Sequence, residues 1–214
     1  MEEVITGLWQ RIEAFLQSQG RTESIALNPP ATEDEILAAE KSLAIDRFPE
    51  DFRCSLKRHN GQKMGPTLLG IGYLLPLHEI VDDWGMWEEY LDDDTFEDSD
   101  DELSTGACAV LVRVKANRWN PRWIPITSDG CGNHDCLDLD PAAGGTKGQI
   151  IVMYHDDDPR PLNASSFEAW LSACAEDLEQ GRLVWEGEDD YGGFTKPDPV
   201  SSQPNNVSET EGGA

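Results

Sequence analysis

Residues 122–141 read RWIPITSDGCGNHDCLDLDP. Arg122 to Ile126 is a short apolar run with strand character, and its Pro125 points to a sheet edge or a bulge. Cys136 to Asp140 alternates polar and apolar, the period of a half-buried strand. Between them Asp129, Gly130, Gly132 and Asn133 supply positive-φ positions and local side-chain hydrogen bonds, as a tight connection requires. Gly130, Gly132 and Asn133 are therefore read as a structural turn, with Asp138 and Asp140 on the outer, solvated side of the strand. Outward from this centre, Ala109 to Val114 (AVLVRV) and Gln149 to His155 (QIIVMYH) read as further strands. Pro141 to Gly148 reads as a loop.

Helical spacing surrounds this strand-rich centre. Val4, Ile5, Leu8, Trp9, Ile12, Phe15 and Leu16 form one apolar stripe over residues 3–18, with Gly20 as its stop. Thr32 and Glu35 have capping-box spacing ahead of Ile36, Leu37 and Leu43. Pro49 suits the first position of a third short helix, whose acids Glu50 and Asp51 suit its positive end. Lys57, Arg58 and His59 fall near its negative end, and Asn60-Gly61 terminates it. Thr67 to Leu75 (TLLGIGYLL) reads as a strand or strand pair, and Leu77 to Leu91 returns to helical spacing. Ser165 with Glu168 predicts a second capping box, opening a helix that carries Phe167, Trp170, Leu171, Cys174 and Leu178. Arg182 to Trp185 reads as a last short strand.

Charge limits the function classes. The 214 residues carry 42 acids against 16 bases, a formal net charge of −26. Such a field repels polyanions, which argues against nucleic acid and anionic membrane surfaces as direct partners. The first ten residues, MEEVITGLWQ, have acids where a secretory signal needs bases, so a cytoplasmic location with free thiols at the five cysteines is expected. Apolar runs fall short of the roughly 18 residues of a membrane span. Eight of the eleven residues 92–102 (DDDTFEDSDDE) are acidic, which predicts a solvated loop. Glu97 and Leu103 stand where an EF-hand loop counted from Asp92 needs Gly and Glu, so calcium binding of that kind is excluded. Residues 187–214 are acidic and rich in Gly, Pro, Ser and Asn, and read as a disordered tail behind a single domain, residues 1–186.

Two chemical readings of the centre compete with the turn. Cys131, His134 and Cys136 are zinc-ligating types, but their spacing is at the outer limit and no second Cys/His cluster follows. Asp138, Asp140, His134 and His155 offer carboxylates and imidazoles for acid–base or metal-assisted hydrolysis. Yet no nucleophile elbow, phosphate-cradling loop or HExxH pair accompanies them. The turn reading is preferred, so no metal, cofactor or catalytic residue is expected. Trp9, Trp170, Trp119 and Trp123 read as core. Trp84 and Trp87 lie three residues apart beside Glu88, Glu89 and the acidic loop, the composition of an interface with aromatic anchors.

Several short motifs occur together in order. They are Trp9…Ile12-Glu13…Phe15-Leu16, Pro29-Pro30-Ala31-Thr32-Glu33…Ile36…Glu40 and Phe48-Pro49-Glu50-Asp51-Phe52…His59-Asn60-Gly61. Then come Leu74-Leu75-Pro76…Ile80, Trp123-Ile124-Pro125-Ile126, Asp129-Gly130…Gly132-Asn133…Asp138-Leu139-Asp140-Pro141, Gly148-Gln149-Ile150-Ile151, His155-Asp156 and Ser166-Phe167…Trp170-Leu171. Over about residues 5–185 the chain resembles the SUKH superfamily, in the branch of the fungal cell-wall assembly regulators and many bacterial proteins. The resemblance implies an α+β fold, a curved and mainly antiparallel sheet with helices packed against it. It also implies a binding module without catalytic residues: an immunity protein that neutralises a cognate toxin in bacterial members, a scaffold of cell-wall signalling in fungal ones. Nuclease toxins tend to be basic, so the acidic surplus favours the first role, with the scaffold as the alternative. Candidate partner contacts are Trp84, Trp87, Glu88, Glu89, Asp92, Asp93, Asp94, Asp98, Asp100 and Asp101. Neutralising the loop acids should then slow association with a basic partner.

Overall fold

The computed structural model describes residues 1–92, 113–156, 160–187 and 192–197. The first helix, α1 (Glu2–Ser18), buries Ile5, Leu8, Trp9, Ile12 and Leu16 on one side. It ends before Gly20, whose φ of +66° suits a residue without a Cβ. The capping box forms as read: the Thr32 hydroxyl accepts from the Glu35 amide, and the Glu35 carboxylate accepts from the Thr32 amide, opening α2 (Glu33–Ser42). Pro49 stands one position earlier than expected, as the extended N-cap of α3 (Glu50–Leu56).

From residue 67 the chain turns on Gly70 (φ +68°) into β1 (Tyr73–Leu74), and Pro76 leads into α4 (Leu77–Asp92). Ala109 to Val112, four of the six residues of an expected strand, lie outside the described residues, and Arg113 and Val114 form a turn. Next come β2 (Trp123–Pro125), β3 (Thr127–Ser128), β4 (His134–Asp138), β5 (Gln149–Met153) and β6 (Leu162–Ala164). The main sheet has the order β2-β4-β5-β6, all antiparallel, while β1 pairs with β3. Pro125 therefore does sit on an edge strand, where its missing N–H breaks no ladder.

The helix α5 (Phe167–Glu179) is capped one residue later than the capping-box spacing predicts. The Ser166 hydroxyl accepts from the Ala169 amide at 3.1 Å. Asp51 of α3 takes the neighbouring Glu168 amide at 2.9 Å, so a side chain 117 positions away completes the helix start. A final hairpin, β7 (Val184–Glu186) and β8 (Gly193–Thr195), lies across the expected tail boundary at residue 186; the rest of the expected tail, 188–191 and 198–214, lies outside the described residues. Phe194 of β8 belongs to the main core. The architecture is α+β, as the resemblance implies.

Both faces of the main sheet are covered. Ile124, Leu137 and Ile150 join the large core with α1, α2, α3, α5 and the first turns of α4. On the opposite face Trp123, Cys136, Ile151 and Met153 pack with Trp87, Val114 and Trp119. Strand alternation thus assigns β4 side chains to two apolar clusters rather than to one core and to water. This corrects the expectation that Asp138 faces solvent: it is fully buried.

Candidate functional site

The polar centre begins in the turn before β4. Asp129 accepts from the amides of Cys131 (2.7 Å) and Asn133 (3.0 Å), and from the Asn133 side-chain amide (2.6 Å). Burial alone would raise its pKa, but these donors outweigh it and hold the carboxyl below the ordinary range. Gly130 and Gly132 take φ of +75° and +93°. The Asn133 carbonyl oxygen accepts from the His155 amide at 3.0 Å, tying the turn to the chain after β5.

His134 is 1% exposed. Its Nδ1–H donates to the Thr127 carbonyl at 2.8 Å, and its Nε2 accepts from the Trp87 indole at 3.2 Å. Burial lowers its pKa, so the imidazole is neutral and its tautomer fixed by these two bonds. Asp135, on the other face, accepts from the Ile71 amide (3.0 Å), the Asn163 side chain (2.8 Å) and the Thr127 hydroxyl (3.3 Å). A Cβ on Gly70 would stand 2.0 Å from its Oδ2, so the turn at residue 70 is shaped around this carboxylate. Asp138 accepts from the Gln149 side chain (2.8 Å) and the Asp140 amide (3.0 Å). Asp140 lies beyond the strand, paired with Lys115 at 2.6 Å and with Asn120.

These contacts disperse both chemical constellations. Cys131 is exposed at the turn while Cys136 is buried in the apolar cluster, its thiol pushed well up by burial. Both nitrogens of His134 are engaged. Among the described residues no three His, Cys, Asp or Glu side chains are grouped to hold a metal. Asp138 and Asp140 face different surroundings, and His155 sits at the exposed end of the turn. The cluster is a set of satisfied buried polar groups that fixes strand register and turn geometry.

The predicted interface residues divide along α4. Trp87 is buried, stacked on Trp119 at 5.4 Å, and is therefore core rather than an anchor. Trp84 is half-buried, and its indole donates to the Pro121 carbonyl at 2.9 Å. Glu88 is half-buried and Glu89 exposed. Asp92 closes the helix; Asp93, Asp94, Asp98, Asp100 and Asp101 lie outside the described residues. What the spacing of Trp84 and Trp87 did not suggest is the further run of acids on the same helix: Asp82 and Glu89 are exposed, as is Met86 (42%), while Glu79 and Asp83 are half-buried, with Glu79 accepting from the Tyr73 hydroxyl at 2.9 Å. Among the described residues no Lys or Arg pairs with these acids.

Asp83 reports the resulting field. Its carboxyl is pushed up to about 6 by partial burial and by the charges of Glu79 and Asp82, against a hydrogen bond from Ser128. His134 Nδ1 lies 3.8 Å away but is neutral. A raised carboxyl pKa means that the native state binds a proton the unfolded chain has released between about pH 4 and 6. This contribution to stability is full below that window and lost as pH rises through it. Asp83→Asn is therefore expected to stabilise the protein at pH 7.5 by about 1 kcal/mol, allowing for solvent screening. The gain should vanish near pH 4.5, as followed by urea denaturation at the two pH values.

Several other acids of the surface are paired with bases. Glu13 accepts from Arg58 (2.7 Å) and His59 (2.7 Å), and Arg11 meets Glu179 at 2.7 Å. Arg53, fully buried, bonds to both Glu40 and Glu33 and ties α3 to α2.

The model of the SMI1 / KNR4 family (SUKH-1) matches residues 30–173, from the Pro30 spacer into α5. The chain is 27% identical to "KNR4/SMI1 homolog 2" of Debaryomyces hansenii over 89% of its own length and 38% of that protein's. It is 26% identical to "Cell wall assembly regulator SMI1" of Saccharomyces cerevisiae, over 86% of this chain and 42% of that one. "Glucan synthesis regulatory protein" of Neurospora crassa is 27% identical, with coverages of 83% and 39%. The chain spans about two fifths of the length of these curated relatives. With the family model covering α2 through the first half of α5, including the whole polar centre, the chain belongs to the SMI1 / KNR4 family (SUKH-1).

Proposed function

We infer that this protein is a non-catalytic, regulatory protein-binding module of the cell-wall assembly kind, with the acidic stripe of α4 as its contact for a basic partner. The observation that carries this reading is a contrast. The chemistry-bearing side chains at the centre of the fold are engaged in internal hydrogen bonds, whereas Asp82 and Glu89 of α4 are exposed and no α4 acid has a Lys or Arg partner among the described residues. A cleft between Trp9, Phe52, His59 and Phe167 has room for about 10 Å³, the space of one water rather than of a substrate. No helix among the described residues is long and apolar enough to cross a membrane. The relatives' names, regulators of cell-wall assembly and glucan synthesis, support the regulatory role over toxin neutralisation. The acidic surplus is equally compatible with either.

Affinity capture from the native cell tests the choice, using the wild-type chain beside Asp82→Lys/Asp83→Lys/Glu89→Lys. The regulatory reading expects several cell-wall or signalling proteins on the wild type and their loss from the triple variant. A single basic toxin domain as the dominant catch would instead establish the immunity role.

A further inference from the structure

The last described strand, β8, has the arrangement of a bound peptide. Gly193, Phe194 and Thr195 run antiparallel to β7 on one side. On the other, Gly193 makes a parallel bridge with Thr67, and the Phe194 amide donates to the Thr67 carbonyl at 2.9 Å. The Phe194 ring is 3% exposed. It inserts edge-on between Phe15 of α1 at 5.4 Å and Trp185 of β7 at 5.3 Å. Gly193 has no room for a side chain: a Cβ there would meet the Thr67 Cβ at 2.7 Å and its nitrogen at 2.8 Å. Arg21 lies over the Trp185 ring at 4.0 Å and closes that side. Main-chain pairing along a strand edge, one aromatic pocket and one position limited to glycine are the elements by which domains read extended peptides.

We propose that the groove between Thr67, Phe15 and Trp185 is a peptide-binding site, occupied in the resting protein by its own Gly193–Thr195, and that it accepts an extended Gly-aromatic-Thr segment of a partner protein. The resident strand is then a competitor in cis. It lowers the apparent affinity for a partner by the fraction of molecules in which the groove is filled. The strand has the chemistry of an occupant in other respects too. It contributes one anchoring side chain, and its Thr195 hydroxyl is spent on Glu186 of the neighbouring strand. The site is independent of the α4 stripe, so charge changes on α4 leave it intact.

The test uses the full chain and a fluorescent peptide Tyr-Gly-Gly-Phe-Thr-Lys-Pro, the sequence of residues 191–197. Phe194→Ala removes the resident anchor and leaves Phe15 and Trp185 themselves unsubstituted. This variant should bind the peptide about tenfold more tightly than the wild type. A control peptide with alanine for phenylalanine should bind to neither. Gly193→Val, which expels the strand by collision with Thr67, should give the same gain by a different route. Equal binding by wild type and both variants, with native circular dichroism, overturns the proposal. Failure of both variants to fold overturns it as well, since the strand would then be part of the fold and not an occupant. A wild-type dimer in light scattering that Phe194→Ala abolishes would put a second copy's strand in the groove, and would overturn the choice of a partner protein.

Discussion

Arg53→Ala is expected to cost about 3–5 kcal/mol of folding stability, the toll of leaving a buried carboxylate without its counter-charge. Arg53 is fully buried and Glu40 nearly so, and the two guanidinium branches reach Glu40 and Glu33. Glu40 also accepts from the Phe48 amide at 2.8 Å, so its carboxylate cannot swing out to water without releasing the segment that leads into α3. A native domain has only about 5–15 kcal/mol in hand, so the single variant should be largely unfolded in moderate urea. Replacing both partners by apolar residues of similar volume, Arg53→Met with Glu40→Leu, removes both desolvation penalties and should cost less than the single variant, about 1–3 kcal/mol, the loss of the acceptor for the Phe48 amide. Urea denaturation of both variants checks this. Equal losses would mean that the packing of the stems, not the ion pair, holds α2 to α3.

Asp135→Ala should be comparably damaging, at about 3–5 kcal/mol, for a different reason. Three donors converge on this carboxylate: the Ile71 amide, the Asn163 side chain and the Thr127 hydroxyl. Each buried donor left without an acceptor costs about 1–3 kcal/mol. Asp135→Asn keeps one acceptor but turns an NH₂ toward a donor, and should lose about 2 kcal/mol. Burial raises the Asp135 pKa, yet the loss on mutation should persist at neutral pH, because alanine cannot accept from any of the three donors. The sign carries functional meaning. Active-site groups are held at the expense of stability, so removing them often stabilises a protein. A structural carboxylate predicts the reverse, and thermal unfolding of Asp135→Asn distinguishes them: a raised midpoint would reopen a catalytic reading of β4.

The helical part of the fold was legible because its signals are local. The α1 stripe, the Thr32–Glu35 box and the stop at Gly20 each depend on residues within one or two turns. The start of α5 slipped by one residue because Ser165 and Ser166 are locally equivalent, and Asp51, remote in sequence, chooses between them. The burial of Asp138 was hidden for a similar reason. Alternation in β4 shows that two faces exist, but not that Trp87 and Trp119 cover the second one. Phe194 escaped notice because composition averages over a segment, whereas one aromatic ring in a pocket is enough to order three residues. The site shows the same division. The turn at Asp129 to Asn133 was readable from its glycines. The assignment of Trp87 to an interface failed because the indole's partner, His134, is 47 positions away. The stripe of α4 acids needed the structure, since only there does the lack of basic neighbours become visible.

The proposed role, binding of a basic partner through the carboxylates of α4 rather than catalysis, has a direct physical signature. The direct measurement is the association rate between the purified chain and its captured partner at about 50 and 200 mM salt, for wild type and for Asp82→Lys/Asp83→Lys/Glu89→Lys. The account predicts a wild-type rate that falls steeply with salt, and a variant rate that is slower at low salt and nearly flat. Two superimposable, salt-independent rates would contradict it.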